Sequence, residues 1–276
     1  MDKQIVINNL LISYSEVQGS STQTLLFLHG WRSNKEVWNG VIKRIRELEN
    51  ERIGCYLIDL PGFGQSQNPH PNPLPKGEGE LGWKVGDYAN VVAEFIRKLE
   101  LKNVIIVGHS FGGRVAIKLA ANISPQPPLN LRGGEGVISK LVLVDSAGFA
   151  MEASKKIITK AAAKIAKPFF KPDFMQPLRR KIYQKIGAED YLATPELQKT
   201  FVNVTSEDLS DDMKKIQAPT LIIFGENDKE TPVTYGELMR FLIPDTKLLI
   251  LKSAGHFSFL DKPEEFVEAL LKFVVS

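Results

Sequence analysis

The feature that most limits how this chain can fold is a series of short apolar runs, rich in β-branched residues and bounded by Gly, Pro or Asp, at 24–28, 53–58, 104–107, 141–144, 220–224 and 247–251. A strand with one wet face alternates polar and apolar residues, whereas a continuous apolar run suits a strand covered on both faces. Amphipathic helical patterns fall between the runs, at 37–48, 88–99, 112–121, 235–242 and 263–274. Strand and helix in alternation specify an α/β chain with a mostly parallel, doubly wound sheet carrying helices on both sides. The alternating stretch 4–14 reads as an antiparallel hairpin arm ahead of the parallel strands.

The alternation stops between 148 and 218, where about seventy residues hold helical patterns but no buried strand. The spacing predicts a helical cap at 149–217, inserted between the sixth and seventh strands of a core made of 1–148 and 218–276. Its first helix, 152–167, sets Ile157, Ile158, Ala161 and Ile165 on one face and Lys156, Lys160 and Lys164 on another, a solvated basic stripe. Two further stretches, 68–80 (NPHPNPLPKGEGE) and 123–136 (ISPQPPLNLRGGEG), share a proline-rich start, a basic residue and Gly-Glu-Gly. Proline removes backbone donors and glycine costs conformational entropy, so both are expected to be inserted surface loops.

Composition narrows the function classes. With 35 basic and 32 acidic side chains the formal net charge is +3, too small and too evenly mixed for a nucleic-acid partner. The lone Cys55 excludes an intramolecular disulfide framework, and the four histidines, His29, His70, His109 and His256, show no zinc-ligand spacing, so no metal or other cofactor is expected. No basic region followed by a long apolar core opens the chain, and no apolar run reaches the roughly 20 residues that span a bilayer. The expectation is a cytoplasmic protein without stable membrane insertion.

The chemistry-bearing segment is 104–113, Val-Ile-Ile-Val-Gly-His-Ser-Phe-Gly-Gly, which runs into a helical pattern over 114–121. A serine on a tight strand-to-helix turn exposes its hydroxyl above the sheet, and Gly108 and Gly112 remove side chains that would collide there. A serine hydroxyl is a poor nucleophile at neutral pH, so Ser110 needs a base and a carboxylate to orient that base. His256 follows the last strand run and Asp228 follows the preceding one, both at carboxyl ends of strands, where sites of open α/β sheets gather. Asp145, at the end of the 141–144 run, is the main rival for the acid, and Glu226 a lesser one.

These segments, with Leu28-His29-Gly30-Trp31 and the 59–66 stretch DLPGFGQS, make the chain resemble the α/β-hydrolase superfamily, whose nucleophile, acid and base occur in the order Ser110, Asp228, His256. The resemblance spans the chain outside the two inserted loops, and the cap lies at the family's usual insertion point. It implies backbone oxyanion donors at Trp31 and Phe111, and it favours Asp228 over Asp145 because Gly225-x-x-Asp228-x-x-x-Pro232 is the family's commoner arrangement. Dehalogenases and epoxide hydrolases of the superfamily carry aspartate where Ser110 stands. The Gly-rich oxyanion loop of one esterase group and the Trp after the base of carbon–carbon bond hydrolases are absent, since Trp31 follows Gly30 and Phe257 follows His256.

His29 and His109 sit in motif turns and read as packed, hydrogen-bonded side chains; His70 reads as solvated and Cys55 as a buried, inert thiol. The reading is a cofactor-free serine esterase acting on a small-molecule ester with a small to medium acyl chain. Phe169, Phe170, Phe174, Met175, Tyr183 and Tyr191 of the cap are candidates to line its pocket. An acyltransferase, lactonase or perhydrolase of the same fold, or a ligand receptor with vestigial hydrolysis, is the alternative.

Overall fold

A computed structural model describes residues 2–49, 52–69, 82–122, 138–150, 190 and 194–276. The helix expected at 152–167 with its basic stripe, the loop at 123–136, most of the loop at 68–80 with His70, and all six candidate pocket residues lie outside the described residues. The chain forms two compact units, one made of Met1–Pro69, Val85–Gly148 and Leu209–Ser276, the other of His70–Lys84 and Phe149–Asp208.

The larger unit holds an eight-stranded sheet of β1 (Asp2–Ile7), β2 (Leu10–Val17), β3 (Thr24–Leu28), β4 (Gly54–Ile58), β5 (Val104–His109), β6 (Ile138–Val144), β7 (Thr220–Gly225) and β8 (Thr246–Leu251). Their spatial order is β1-β2-β4-β3-β5-β6-β7-β8. The pairs β1–β2 and β2–β4 are antiparallel and the other five parallel, so all six apolar runs became parallel strands. The single arm expected at 4–14 is two strands, because Asn8 and Asn9 both adopt positive φ (49° and 64°) and close a two-residue hairpin. Asparagine tolerates that conformation better than other residues with a Cβ, which gives the turn the twist a hairpin needs.

Helices α1 (Asn39–Glu49), α2 (Val85–Lys98), α3 (Phe111–Asn122), α6 (Val233–Leu242) and α8 (Pro263–Val275) follow the sequence periodicities, with α5 (Ser210–Met213) and α7 (Ser258–Asp261) as single-turn additions. Alternate strand positions sort to opposite faces by the pleat. Leu25, Phe27, Cys55, Leu57, Ile105, Val107, Val142, Val144, Leu221 and Ile223 join Trp38, Val41, Ile45, Phe259, Phe266, Val267, Leu270 and Val274 in one cluster beneath α1 and α8. Leu26, Ile106, Leu143 and Ile222 are fully buried on the other face, where α3 packs on β3, β5 and β6. Burial pushes the Cys55 thiol up to about 12, so it is not nucleophilic near neutral pH.

In the smaller unit, α4 (Gln198–Ser206) follows a 3₁₀ turn at Pro195–Leu197. Asn203 Nδ2 donates to the Gly82 carbonyl (3.2 Å), and Trp83 N donates to Thr200 Oγ1 (3.0 Å), fastening 82–83 to α4.

Candidate active site

Ser110 stands between the end of β5 and the first residue of α3 with φ at +49°, a left-handed conformation that costs a residue with a Cβ about 1 kcal/mol or more. The turn closes because its neighbours lack side chains. A Cβ on Gly108 would lie 2.6 Å from the Gly112 carbonyl oxygen, and one on Gly112 would overlap the backbone of Leu28 and His29. Gly113 N and Arg114 N both donate to the Ser110 carbonyl, and Ser110 N donates to the Val144 carbonyl (3.0 Å), which fixes the turn against β6.

The loop after β3 approaches the same point. A Cβ on Gly30 would stand 3.3 Å from Ser110 Cβ, so Gly30-Trp31 passes directly beside the serine. The rings of Trp31 and Phe111 meet edge to face at 5.1 Å, and Phe63 packs on Trp31 at 4.9 Å. Phe111 opens α3, where the first-turn N–H groups have no partner in the helix's own ladder.

His29 anchors that loop. Its Nε2 accepts from Leu60 N (3.0 Å), so the proton sits on Nδ1, 2.7 Å from the Gly30 carbonyl, and burial drives its pKa down to about 4. The 59–66 stretch is a second anchor. Buried Asp59 accepts from Lys35 Nζ (3.0 Å), Lys35 N (2.7 Å) and Gln65 N (2.9 Å), while Lys35 Nζ also donates to Ser13 Oγ (3.1 Å). The loops after β3 and β4 are thereby cross-linked by a buried ion pair whose oxygens are all engaged, the condition under which such a pair is tolerated.

The structure brings Asp228 and His256 together. His256 Nδ1 lies 2.8 Å from Asp228 Oδ2, and Asp228 Oδ1 accepts from Glu230 N (2.8 Å) and Thr231 N (3.0 Å), a local turn about the acid. Burial pushes the Asp228 carboxyl up, but the bonds from His256 and Thr231 outweigh it and hold the group below the usual carboxylate range. Burial also pushes His256 down; Asp228, Glu230 and Asp145 outweigh it and raise the imidazole above its ordinary value. Its Nε2, the nitrogen turned away from Asp228, lies 3.3 Å from a carboxylate oxygen of Glu230, which is 67% exposed.

His109 ties the serine turn to this pair. Its Nε2–H donates to the His256 carbonyl (2.7 Å), the two imidazoles lie 4.9 Å apart, and burial drives the His109 pKa down to about 3. Asp145 bonds to partners other than an imidazole. Its Oδ1 accepts from Gly225 N (2.7 Å) and its Oδ2 from Ser258 N (3.0 Å) and Ser258 Oγ (2.6 Å), so it pins the end of β7 and the start of α7. Burial raises this carboxyl to about 7. Glu226 accepts from Ser253 N (3.0 Å) between the loops after β7 and β8.

Sequence reasoning overlooked Lys35, Glu230 and Thr231. The only local signal was for Thr231, in Asp228-x-x-Thr231-Pro232, a spacing suited to an aspartate-capped turn. Among the described residues, no group of three or more His, Cys, Asp or Glu side chains could hold a metal ion, and no helix is long and apolar enough to cross a membrane.

The sheet order and the site at its carboxyl edge define a class of α/β enzyme folds, and the alpha/beta hydrolase family matches residues 25–269. The chain belongs to that family. It is 26% identical over 260 residues to the pimeloyl-(acyl-carrier protein) methyl ester esterase of Nitrosomonas europaea, covering 88% of this chain and 92% of that protein. It is 24% identical to the uncharacterized hydrolase YugF of Bacillus subtilis over 99% and 97% of the two chains. Among solved structures, an esterase from Exiguobacterium antarcticum superposes with a TM-score of 0.71 at 25% identity, over the full length of both chains.

Proposed function

We propose that this protein is a serine esterase that cleaves small to medium acyl carboxylic esters through a Ser110 acyl-enzyme, with Asp228 and His256 completing the triad. The observation that carries the reading is the Asp228–His256 bond, formed on loops that His109 joins to the strained Ser110 turn. The likeness to a methyl ester esterase and to a solved esterase supports the same chemistry.

In this mechanism Nε2 of neutral His256 removes the Ser110 proton as Oγ attacks the ester carbonyl. Asp228 holds Nδ1–H and stabilises the imidazolium that forms. Negative charge on the carbonyl oxygen meets the backbone N–H groups of Trp31 and Phe111, and loss of one such donor costs on the order of a hundredfold or more. Protonated Nε2 returns its proton to the leaving alcohol. Water, deprotonated by the same nitrogen, then releases the carboxylic acid and restores Ser110.

The substrate is a small ester, handled without a cofactor, and the protein works in the cytoplasm. The test is the specificity constant for p-nitrophenyl esters from acetate to palmitate, with and without Ser110→Ala. Each methylene buried adds roughly 0.8 kcal/mol until the pocket is full, so the constant climbs over short chains and then falls. A Ser110→Ala protein retaining a tenth of the activity refutes the mechanism, and a maximum at palmitate refutes the acyl range.

A further inference from the structure

We propose that Thr231 is a positioning residue that selects the working tautomer of His256, an inference resting on the esterase reading above. The Thr231 side chain is buried, 5% exposed, at the meeting of three loops. Its Oγ1 lies 2.6 Å from Asp228 Oδ2, 2.9 Å from the Asp145 carbonyl oxygen and 3.2 Å from His256 Nδ1.

A hydroxyl has one proton to give. The two oxygens near Thr231 Oγ1 can only accept, and the ionised Asp228 is the stronger acceptor, because charge-assisted hydrogen bonds are about twice as strong as neutral ones. With that proton committed, His256 Nδ1 faces two oxygens, Asp228 Oδ2 and Thr231 Oγ1, and no donor. The arrangement is satisfied only when Nδ1 carries hydrogen, which leaves the Nε2 lone pair free to accept the Ser110 proton.

Asp228 alone also calls for a hydrogen on Nδ1, but it holds the accepting oxygen less firmly. Its Oδ1 is held by two backbone N–H groups, but without Thr231 the oxygen facing the imidazole has His256 as its one hydrogen-bond partner. The charged and titratable groups facing His256 are Asp228 and Glu230 from the loop after β7, Asp145 from the loop after β6 and His109 from the end of β5. None of the four can replace the hydroxyl. Glu230 approaches Nε2, Asp145 spends both carboxylate oxygens on Gly225 and Ser258, and His109 bonds the His256 backbone.

The decisive comparison is Thr231→Ser against Thr231→Ala. Both lose the γ-methyl, so any loss they share is packing and any difference is the hydroxyl. Thr231→Ala is expected to lower kcat about tenfold or more with KM within about twofold, the scale of one hydrogen bond to a charged group, while Thr231→Ser stays within about threefold of the parent. The low-field proton NMR signal of the His256 Nδ1–H should persist in the Ser variant and broaden away in the Ala variant. Should Thr231→Ala fail to fold, the near-isosteric Thr231→Val is measured in its place, with the same expectation.

Equal kcat and equal NMR signals for Ser and Ala, beside an inactive Ser110→Ala, overturn the role of Thr231 and leave the esterase reading intact. Activity persisting in Ser110→Ala overturns the esterase reading, and the NMR comparison still decides what Thr231 does to the imidazole.

Discussion

Replacing Gly108 with alanine tests whether the fit between β5 and α3 sets the position of Ser110, the proposed nucleophile. The added Cβ would stand 2.6 Å from the Gly112 carbonyl oxygen, 2.8 Å from its carbonyl carbon and 2.9 Å from Gly113 Cα, all backbone atoms of the first turn of α3. Ordinary contact begins near 3.4 Å, so α3 must withdraw by about 0.8 Å. No rotamer change relieves this, because all three neighbours are main chain. Overpacking of this kind costs typically 1–3 kcal/mol, and at roughly 2–4 °C per kcal/mol for a chain of this size the melting temperature should fall by about 2–12 °C. Activity should suffer more than stability. Ser110 and Phe111 move with α3 while Gly30-Trp31 stays with β3, and a misplacement near 1 Å can cost on the order of a hundredfold in rate. The assay is kcat/KM on a short-chain p-nitrophenyl ester beside a thermal melt. Gly86→Ala is the control, since nothing lies within 4 Å of a Cβ there. A Gly108→Ala enzyme within threefold of parent activity and within 1 °C in melting would refute the reasoning.

Three further outcomes follow from charged groups. Lys35→Met leaves the Asp59 carboxylate buried without its cation and should cost about 3–5 kcal/mol in urea unfolding; a loss below about 1 kcal/mol would contradict the account of that pair. For His256, neighbouring carboxylates raise the imidazole, so the acid limb of kcat/KM should lie above the ordinary histidine value. Glu230→Gln should shift that limb to lower pH, and high salt should do the same by screening; an unmoved limb removes Glu230 from the site's electrostatics. Asp145 has its folded pKa raised to about 7, so the native state binds the extra proton and stability falls as pH climbs from about 4 through 7. Asp145→Asn cannot ionise but loses an acceptor, so it should be less stable than the parent at about pH 5, with the gap narrowing by about pH 8. An equal gap at both would show that burial does not shift this carboxyl.

The parallel strands were legible because both faces are covered, and continuous apolar runs such as 104–107 have few other uses. Asn8-Asn9 was harder to read, since hairpin turns are usually signalled by a glycine and neither residue is one. The neighbourhood of Asp228 and His256 could be anticipated from two loops leaving the same edge of the sheet. Lys35 could not, and Thr231 only in its turn with Asp228, because Asp59 at one site and Asp145 and His256 at the other lie 24 to 86 positions away in the chain and only the folded sheet brings them close. A buried lysine also looks, in sequence, like any surface lysine.

The discontinuous build of the larger unit has a consequence for synthesis. Strands β1 to β5 pair among themselves and leave the ribosome first, but β6 keeps an unpaired apolar edge until 220–225 emerge to cover it. Trp38, made early, waits for Phe259, on which it stacks at 4.2 Å. The nascent chain therefore carries an open β6 edge until 220–225 are made and an unstacked Trp38 until Phe259 is made, and that interval is when it is most exposed to self-association.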